Sequence, residues 1–297
     1  MIPRAQIRLL PDGRRLHLHD GPIDLIVEAY GKPHEIAVAY DAASARFVHV
    51  LDELCSELSF LRQPCHAESP WPRGTIARRM VAAVMPYASE FFITSMAAVA
   101  GAVAEEIMAA MTNVAQLSRA YVNNGGDIAL HLSRSEEFVI GLVERPDHPS
   151  LFGSTTLRSA HPVRGIATSG WRGRSFSLGI ADAVTVLADR AAAADAAATI
   201  IANAVDLPGH PSIVRVPACE IAPESDLGER LVTQAVGRLS DAEVNQALDS
   251  GSRTADRLLR IGLVRGAAIH LQGETRIIET AGRMFSTVEQ ERGLVHA

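Results

Sequence analysis

The chain has 297 residues, 47% hydrophobic and 21% charged, with 28 Lys and Arg against 34 Asp and Glu and a formal net charge of −6. That length and apolar share suit one mixed α and β domain, residues 1–297, with a sizeable core. The acidic balance, without a basic stripe, argues against nucleic acid or an anionic lipid surface as the main partner.

Cys55, Cys65 and Cys219 form no CxxC pair and leave an odd number. They read as reduced thiols of a cytoplasmic protein, not as a disulfide framework. The start, Met1-Ile2-Pro3-Arg4, lacks the apolar stretch of a signal peptide. The longest apolar runs are interrupted by Glu105-Glu106 or Asp195, so no membrane span is expected.

In chain order, residues 4–30 alternate apolar and polar and turn at Pro11-Asp12-Gly13 and Asp20-Gly21-Pro22, which predicts three short strands. His17 and His19 share one face of the second strand, either as a solvated edge or as part of a metal site lacking a visible third ligand. Between residues 35 and 61 the period becomes helical, with Phe47, Leu51, Leu54, Leu58 and Leu61 on one face. A proline-rich break, 64–72, contains Cys65-His66 and Trp71, the latter pinned onto the core or covering a ligand ring.

A short helix over 75–84 ends before Pro86, and a second runs from Ser95, as cap, to Met111. The first half of that second helix, Ser95 to Gly101, carries nothing larger than valine or methionine, so a backbone or a ligand can come close. Strands follow at 119–123 and 128–132, joined through Asn123-Asn124-Gly125-Gly126-Asp127, then at 138–143 and 155–157 with a loop marked by Pro146 and Pro149. The β-prone run 163–167 delivers Thr168-Ser169-Gly170 at its end, where hydroxyls and a glycine offer donors to phosphate or a ribityl chain.

Another β-prone stretch, 183–188, leads into an alanine-rich helix over 189–204. Asp195 and Thr199 stand one turn apart on that helix. A carboxylate among alanines is either solvent-facing, a cap, or a buried charge relieved by a hard cation with oxygen ligands. Residues 212–221 read as extended, 240–262 as an amphipathic helix, and 263–271 with 275–279 as a hairpin turning at Gln272-Gly273; the tail from about 283 to 297 reads as frayed.

Four elements in this order resemble the ApbE superfamily, the flavin transferases once described as thiamine-biosynthesis lipoproteins, and more closely its uncharacterised ApbE-like branch. They are Ser95 to Ala104, Asn123 to Asp127, Thr168 to Gly170, and Ala194-Asp195-Ala196-Ala197-Ala198-Thr199. The resemblance covers roughly residues 90–205 and implies an α+β fold, ApbE-like and T-fold-like, of antiparallel sheets packed with helices. It further implies a Mg²⁺ ion held by Asp195, Thr199 and the backbone carbonyl of Ala100. The ligand or substrate it implies is a flavin nucleotide, FAD or FMN, met by Asn124, Gly125, Gly126, Asp127, Thr168, Ser169 and Gly170. Arg172 and Arg174 suit the phosphate, because a planar guanidinium pairs with phosphate oxygens.

In those transferases FAD is cleaved and its FMN half attached to a threonine of an acceptor protein. Here Leu178-Gly179-Ile180-Ala181-Asp182 stands where the family has a histidine followed by an aspartate-containing loop. Asp182 takes the place of that aspartate as candidate catalytic residue, and Gly179 occupies the histidine position. Gly101 replaces the lysine of the first motif and Ser95 its leading aspartate. Three readings result: a Mg²⁺-dependent FMN transferase, a flavin- or nucleotide-binding protein without transfer chemistry, and a scaffold recruited to sulfur or homocysteine metabolism. The small-residue surfaces would also suit a homodimer.

Overall fold

The alternating N-terminal segment folds as its period of two requires, into β1 (Gln6–Leu9), β2 (Leu16–Asp20) and β3 (Ile23–Gly31). Leu16, Leu18, Leu25 and Val27 fall on one face and are buried. This computed structural model describes residues 4–143, 151–280 and 284–287.

The expected helix from 35 to 61 is three pieces, α1 (Pro33–Phe47), α2 (Val50–Ser56) and α3 (Leu58–Leu61). Phe47, Leu54 and Leu61 are buried, while Leu51 and Leu58 are only half-buried. The stripe is broken first at Val48-His49, between α1 and α2, and again at Glu57, which leaves helical geometry at φ −118° and ψ 12°. Its carboxylate accepts the N–H groups of Arg73 at 2.8 Å and Gly74 at 2.7 Å, ahead of α4 (Thr75–Val84). Trp71 is 56% exposed, so it is not pinned onto the core.

Ser95 is not the cap expected of it. Thr94 Oγ1 accepts the Met96 N–H at 3.2 Å and opens a short 3₁₀ turn, after which α5 (Val99–Thr112) begins. The stretch Ser95–Thr112 has the length and hydropathy of a membrane span. Its Glu105 and Glu106 nevertheless pair with arginines, and Ala102, Val103, Ile107 and Met111 are buried in the protein core.

β4 (Leu117–Asn124) and β5 (Asp127–Leu132) form the expected hairpin, with Gly125 at φ 66° and Gly126 at φ 114°. Then come β6 (Glu137–Val143), β7 (Leu151–Arg158) and β8 (Gly165–Ser169). The loop at Pro146 and Pro149 lies outside the described residues. Thr168 and Ser169 are thus the last residues of a strand. β9 (Ala183–Ala188), α6 (Ala191–Ala204), β10 (Ile213–Pro217) and α7 (Ala218–Ile221) follow, so the run expected to be extended over 212–221 ends as a helical turn. β11 (Leu231–Val236), which no sequence signal announced, pairs with β10. α8 (Asp241–Arg260), β12 (Gly266–Leu271), β13 (Glu274–Glu279) and β14 (Phe285–Thr287) complete the chain.

The architecture is α+β, with antiparallel strand pairs and packed helices. Contacts divide it into two units, residues 1–137, 158–167 and 188–196, and residues 138–157, 168–187 and 197–297. In the first, the strand order is β1-β2-β3-β4-β5 followed by the start of β8, and α5 packs on β4, β5, α1 and α4. In the second, β9, β12 and β13 lie side by side under α8, and β7 lies between β6 and β14. β14 falls within the stretch expected to fray; residues 281–283 and 288–297 lie outside the description.

Candidate functional site

The small residues of α5 serve a close backbone approach. A Cβ on Gly101 would sit 2.3 Å from the Ala191 carbonyl oxygen and 2.7 Å from the Ala192 nitrogen. On the other side, a Cβ on Gly165 would sit 2.1 Å from the Arg190 carbonyl carbon. The chain entering α6 is therefore lodged between two glycines, and no larger residue fits at either.

That approach carries Asp195 to the start of α5. Its Oδ2 accepts the Gly101 N–H at 3.0 Å, and the Ala100 N–H also favours its ionised form. α5 has no side-chain cap of its own, so the carboxylate of α6 caps it through space. Asp195 keeps part of its residue surface accessible, while its carboxylate is closely wrapped by protein. Burial, then the charge of Asp127, push its pKa well above the usual carboxylate range, outweighing the two N–H groups.

Asn124, buried at the end of β4, donates from Nδ2 to the Ala100 carbonyl at 3.2 Å. Asn123 Oδ1 accepts the Gly126 N–H at 2.8 Å and holds the turn that presents Asp127. Ala100, Asn124, Asp127 and Asp195 are thus gathered in the first unit, with Gly125 and Gly126 in the adjoining turn. Thr199 lies one turn further along α6, half-buried.

Glu105, which in the sequence only interrupts an apolar run, stands four residues beyond Gly101, on the same face of α5. Its Oε1 accepts the Ala192 N–H at 2.8 Å, and its Oε2 meets Arg190 at 2.8 Å and Arg79 at 3.2 Å.

In the second unit, Thr168 Oγ1 and Thr185 Oγ1 are hydrogen-bonded at 2.9 Å. A Cβ on Gly170 would come within 2.4 Å of the Asp182 carbonyl oxygen. The Asp182 carboxylate is buried and in full use. Oδ1 accepts from Trp171 Nε1 at 3.1 Å and Arg172 Nε at 2.6 Å, and Oδ2 from the Gln272 N–H at 2.7 Å. Arg172 also lies over the Trp171 ring, 4.3 Å from its centroid. Asp182 thereby fixes the backbone that follows Thr168-Ser169-Gly170, with Arg174 exposed just beyond. Gly179 is closed to any side chain, because a Cβ there would lie 2.1 Å from the Ala202 carbonyl oxygen.

The paired histidines do share a face. Arg8 Nε donates to His17 Nδ1 at 3.0 Å, and His17 Nε2 meets Asp24 at 2.9 Å. Among the described residues no group of three or more His, Cys, Asp or Glu is placed to hold a metal. The solvated-edge reading does not hold for β2, which pairs with β1 on one side and β3 on the other and keeps the His17 side chain largely covered.

The sequence model of a family described as AbpE bacteria matches residues 7–277. A UPF0280 protein of Methanopyrus kandleri is 46% identical over 125 residues, 41% of this chain and 48% of that protein. One of Methanococcoides burtonii is 36% identical over 150 residues, 50% of this chain and 58% of its own length. The chain thus spans about half the length of the curated relatives it matches. Among solved structures, the flavin transferase ApbE from Vibrio cholerae gives a TM-score of 0.50 at 11% identity, covering 93% of this chain and 98% of that one. The ApbE protein of Thermotoga maritima gives 0.50 at 11% identity, covering 93% and 97%. At such identity the likeness is one of fold.

Proposed function

We propose a function from a plain premise: the chain belongs to the AbpE bacteria family. The function is a Mg²⁺-assisted site for a flavin nucleotide, FAD or FMN. The observation that carries it is the Asp195 carboxylate, wrapped by protein, facing a second acid and lying beside the Ala100 backbone. Among the described residues no cationic side chain bears on it. A hard cation with oxygen ligands would offset that deficit, and Mg²⁺ retains water and bridges to phosphate.

In this reading Asp195, Thr199 and the Ala100 carbonyl would hold the ion, with Asn124 orienting that carbonyl. When bound, the ion would neutralise charge on the pyrophosphate oxygens of the nucleotide. Arg172, anchored through Nε and stacked on Trp171, keeps its two terminal nitrogens for a phosphate. Arg174 is a second cation on the same loop, and Ser169 and Gly170 would offer a hydroxyl and backbone to the ligand, beside a Thr168 hydroxyl already hydrogen-bonded to Thr185. The transfer this would support breaks the FAD pyrophosphate, joins the FMN phosphorus to an acceptor threonine oxygen, and releases AMP. The threonine hydroxyl proton would pass to water as AMP leaves.

A second reading, flavin nucleotide binding without transfer, is favoured by two features. Packing against Ala202 bars a histidine from position 179, and Asp182 already accepts three hydrogen bonds. Flavin fluorescence titration with and without Mg²⁺ tests the shared claim, and the absence of Mg²⁺-dependent binding overturns it. AMP release in the presence of a threonine-bearing acceptor then separates the readings.

A further inference from the structure

We propose that Glu105 is a positioning residue, which holds the Asp195 carboxylate against the first turn of α5 by capping the helix that carries Asp195. Two helix starts meet here, and each helix sends a carboxylate to an N–H in the first turn of the other. Asp195 of α6 accepts the N–H of Gly101, in the first turn of α5. Glu105 of α5 accepts the N–H of Ala192, in the first turn of α6, at 2.8 Å. The spacing within each helix is one turn, Gly101 to Glu105 and Ala192 to Asp195, so the two bonds lie side by side.

The first turn of any helix leaves N–H groups without intrahelical partners, and a carboxylate there meets both those donors and the helix dipole. The same device serves α4 in this protein, where Glu57 accepts the N–H groups of Arg73 and Gly74, and Glu53 that of Ile76 at 3.2 Å. Where α5 and α6 meet the device is doubled, and it is braced. Arg190 and Arg79 both meet Glu105 Oε2, and Arg79 also reaches Glu106, which is bound to Arg46 at 2.8 Å. Glu105 thus has one oxygen committed to the α6 backbone and the other fixed by two guanidinium groups. The glycine contacts fix how closely the first turn of α6 approaches α5, and the Glu105 bond to Ala192 fixes its register along it. Asp195, three residues on, follows that register.

The functional consequence rests on the cation-site reading above, but the clamp itself does not. Backbone amide spectra and hydrogen exchange of wild type, Glu105→Ala and Glu105→Gln test the clamp without any ligand. In Glu105→Ala the Ala192 and Gly101 amides are expected to shift and lose protection together, while those of Ile107 and Ile201, deeper in the two helices, keep theirs. Glutamine retains an oxygen for the Ala192 N–H but loses the acceptor for Arg190 and Arg79, so Glu105→Gln is expected to restore both amides in part. An unchanged Gly101 amide in Glu105→Ala overturns the inference, and so does uniform loss of protection along both helices, which marks plain destabilisation. A glutamine variant that behaves as alanine does overturns it too.

Mg²⁺-dependent FAD binding is then titrated in the same three proteins. A partner that orients a metal ligand typically accounts for about 10- to 100-fold in affinity, and that loss is expected in Glu105→Ala with partial recovery in Glu105→Gln. If the wild type shows no Mg²⁺-dependent binding, the cation-site reading fails while the amide result still decides the clamp. If it binds and Glu105→Ala binds equally well, the positioning role is refuted.

Discussion

The Asp195 carboxylate lies 3.0 Å from the backbone nitrogen of Gly101, a residue 94 positions earlier in the chain. One carboxylate thereby closes a helix start and ties α6 to the first turn of α5.

Gly101→Ala places a methyl group within 2.3 Å of the Ala191 carbonyl oxygen, a backbone atom that cannot step aside alone. Overpacking of this kind costs about 1–3 kcal/mol. Urea denaturation should show that loss, together with loss of protection at the residue 101 amide.

For Asp195 the folded-state pKa is raised, so the folded protein binds its proton more tightly than the unfolded chain does. Stability from this group is complete below the unfolded value of 3.8 and is lost as pH rises through the folded value. Asp195→Asn has no charge to desolvate. In metal-free buffer at neutral pH it should melt at or above the wild-type temperature, and Mg²⁺ should no longer raise its Tm in the presence of FAD. A lower metal-free Tm than wild type would contradict the direction of this shift.

Asp182→Ala removes the acceptor shared by Trp171, Arg172 and Gln272. Leaving such donors unsatisfied costs on the order of 1–3 kcal/mol. With Trp71 already exposed, a red shift of tryptophan emission in this variant reports the release of Trp171. If Asp182 were instead free to act as a catalytic base, the variant would lose turnover with no spectral or stability change.

At α8 the Glu243 side chain accepts the Ser240 N–H at 2.7 Å and meets His210 at 2.8 Å, completing a capping box. These bonds hold its pKa down at about 2, the Ser240 N–H contributing most. A lowered carboxylate contributes stability above its unfolded value of 4.5, and that contribution fades as pH falls toward 2. The Tm gap between wild type and Glu243→Ala should therefore be widest above pH 5 and close toward pH 2.

Gly179→His is the direct attempt to restore the missing transferase histidine. The Ala202 carbonyl 2.1 Å from its Cβ position predicts a destabilised protein with no gain in AMP release. A stable variant that released AMP would show that the backbone yields there.

Hydrophobic period and turn chemistry were enough to read most strands, the hairpin through Gly125-Gly126, and the helices at 75–84, 189–204 and 240–262. They failed where a tertiary partner cut a pattern short. Glu57 breaks the 35–61 helix to serve the next one, and β11 exists because β10 is there to pair with it. By residue type Ser95 is the better cap, and only the backbone path chose Thr94.

By itself the sequence determined the family resemblance, the α+β class and the presence of an acid on an alanine-rich helix. The reason is that periodicity, glycine turns and short motifs are local properties. Only the tertiary structure decided what that acid touches, that Glu105 answers it from the opposing helix, and that position 179 must be glycine. Those outcomes depend on backbones meeting across long sequence separations, at distances where a single Cβ changes the result.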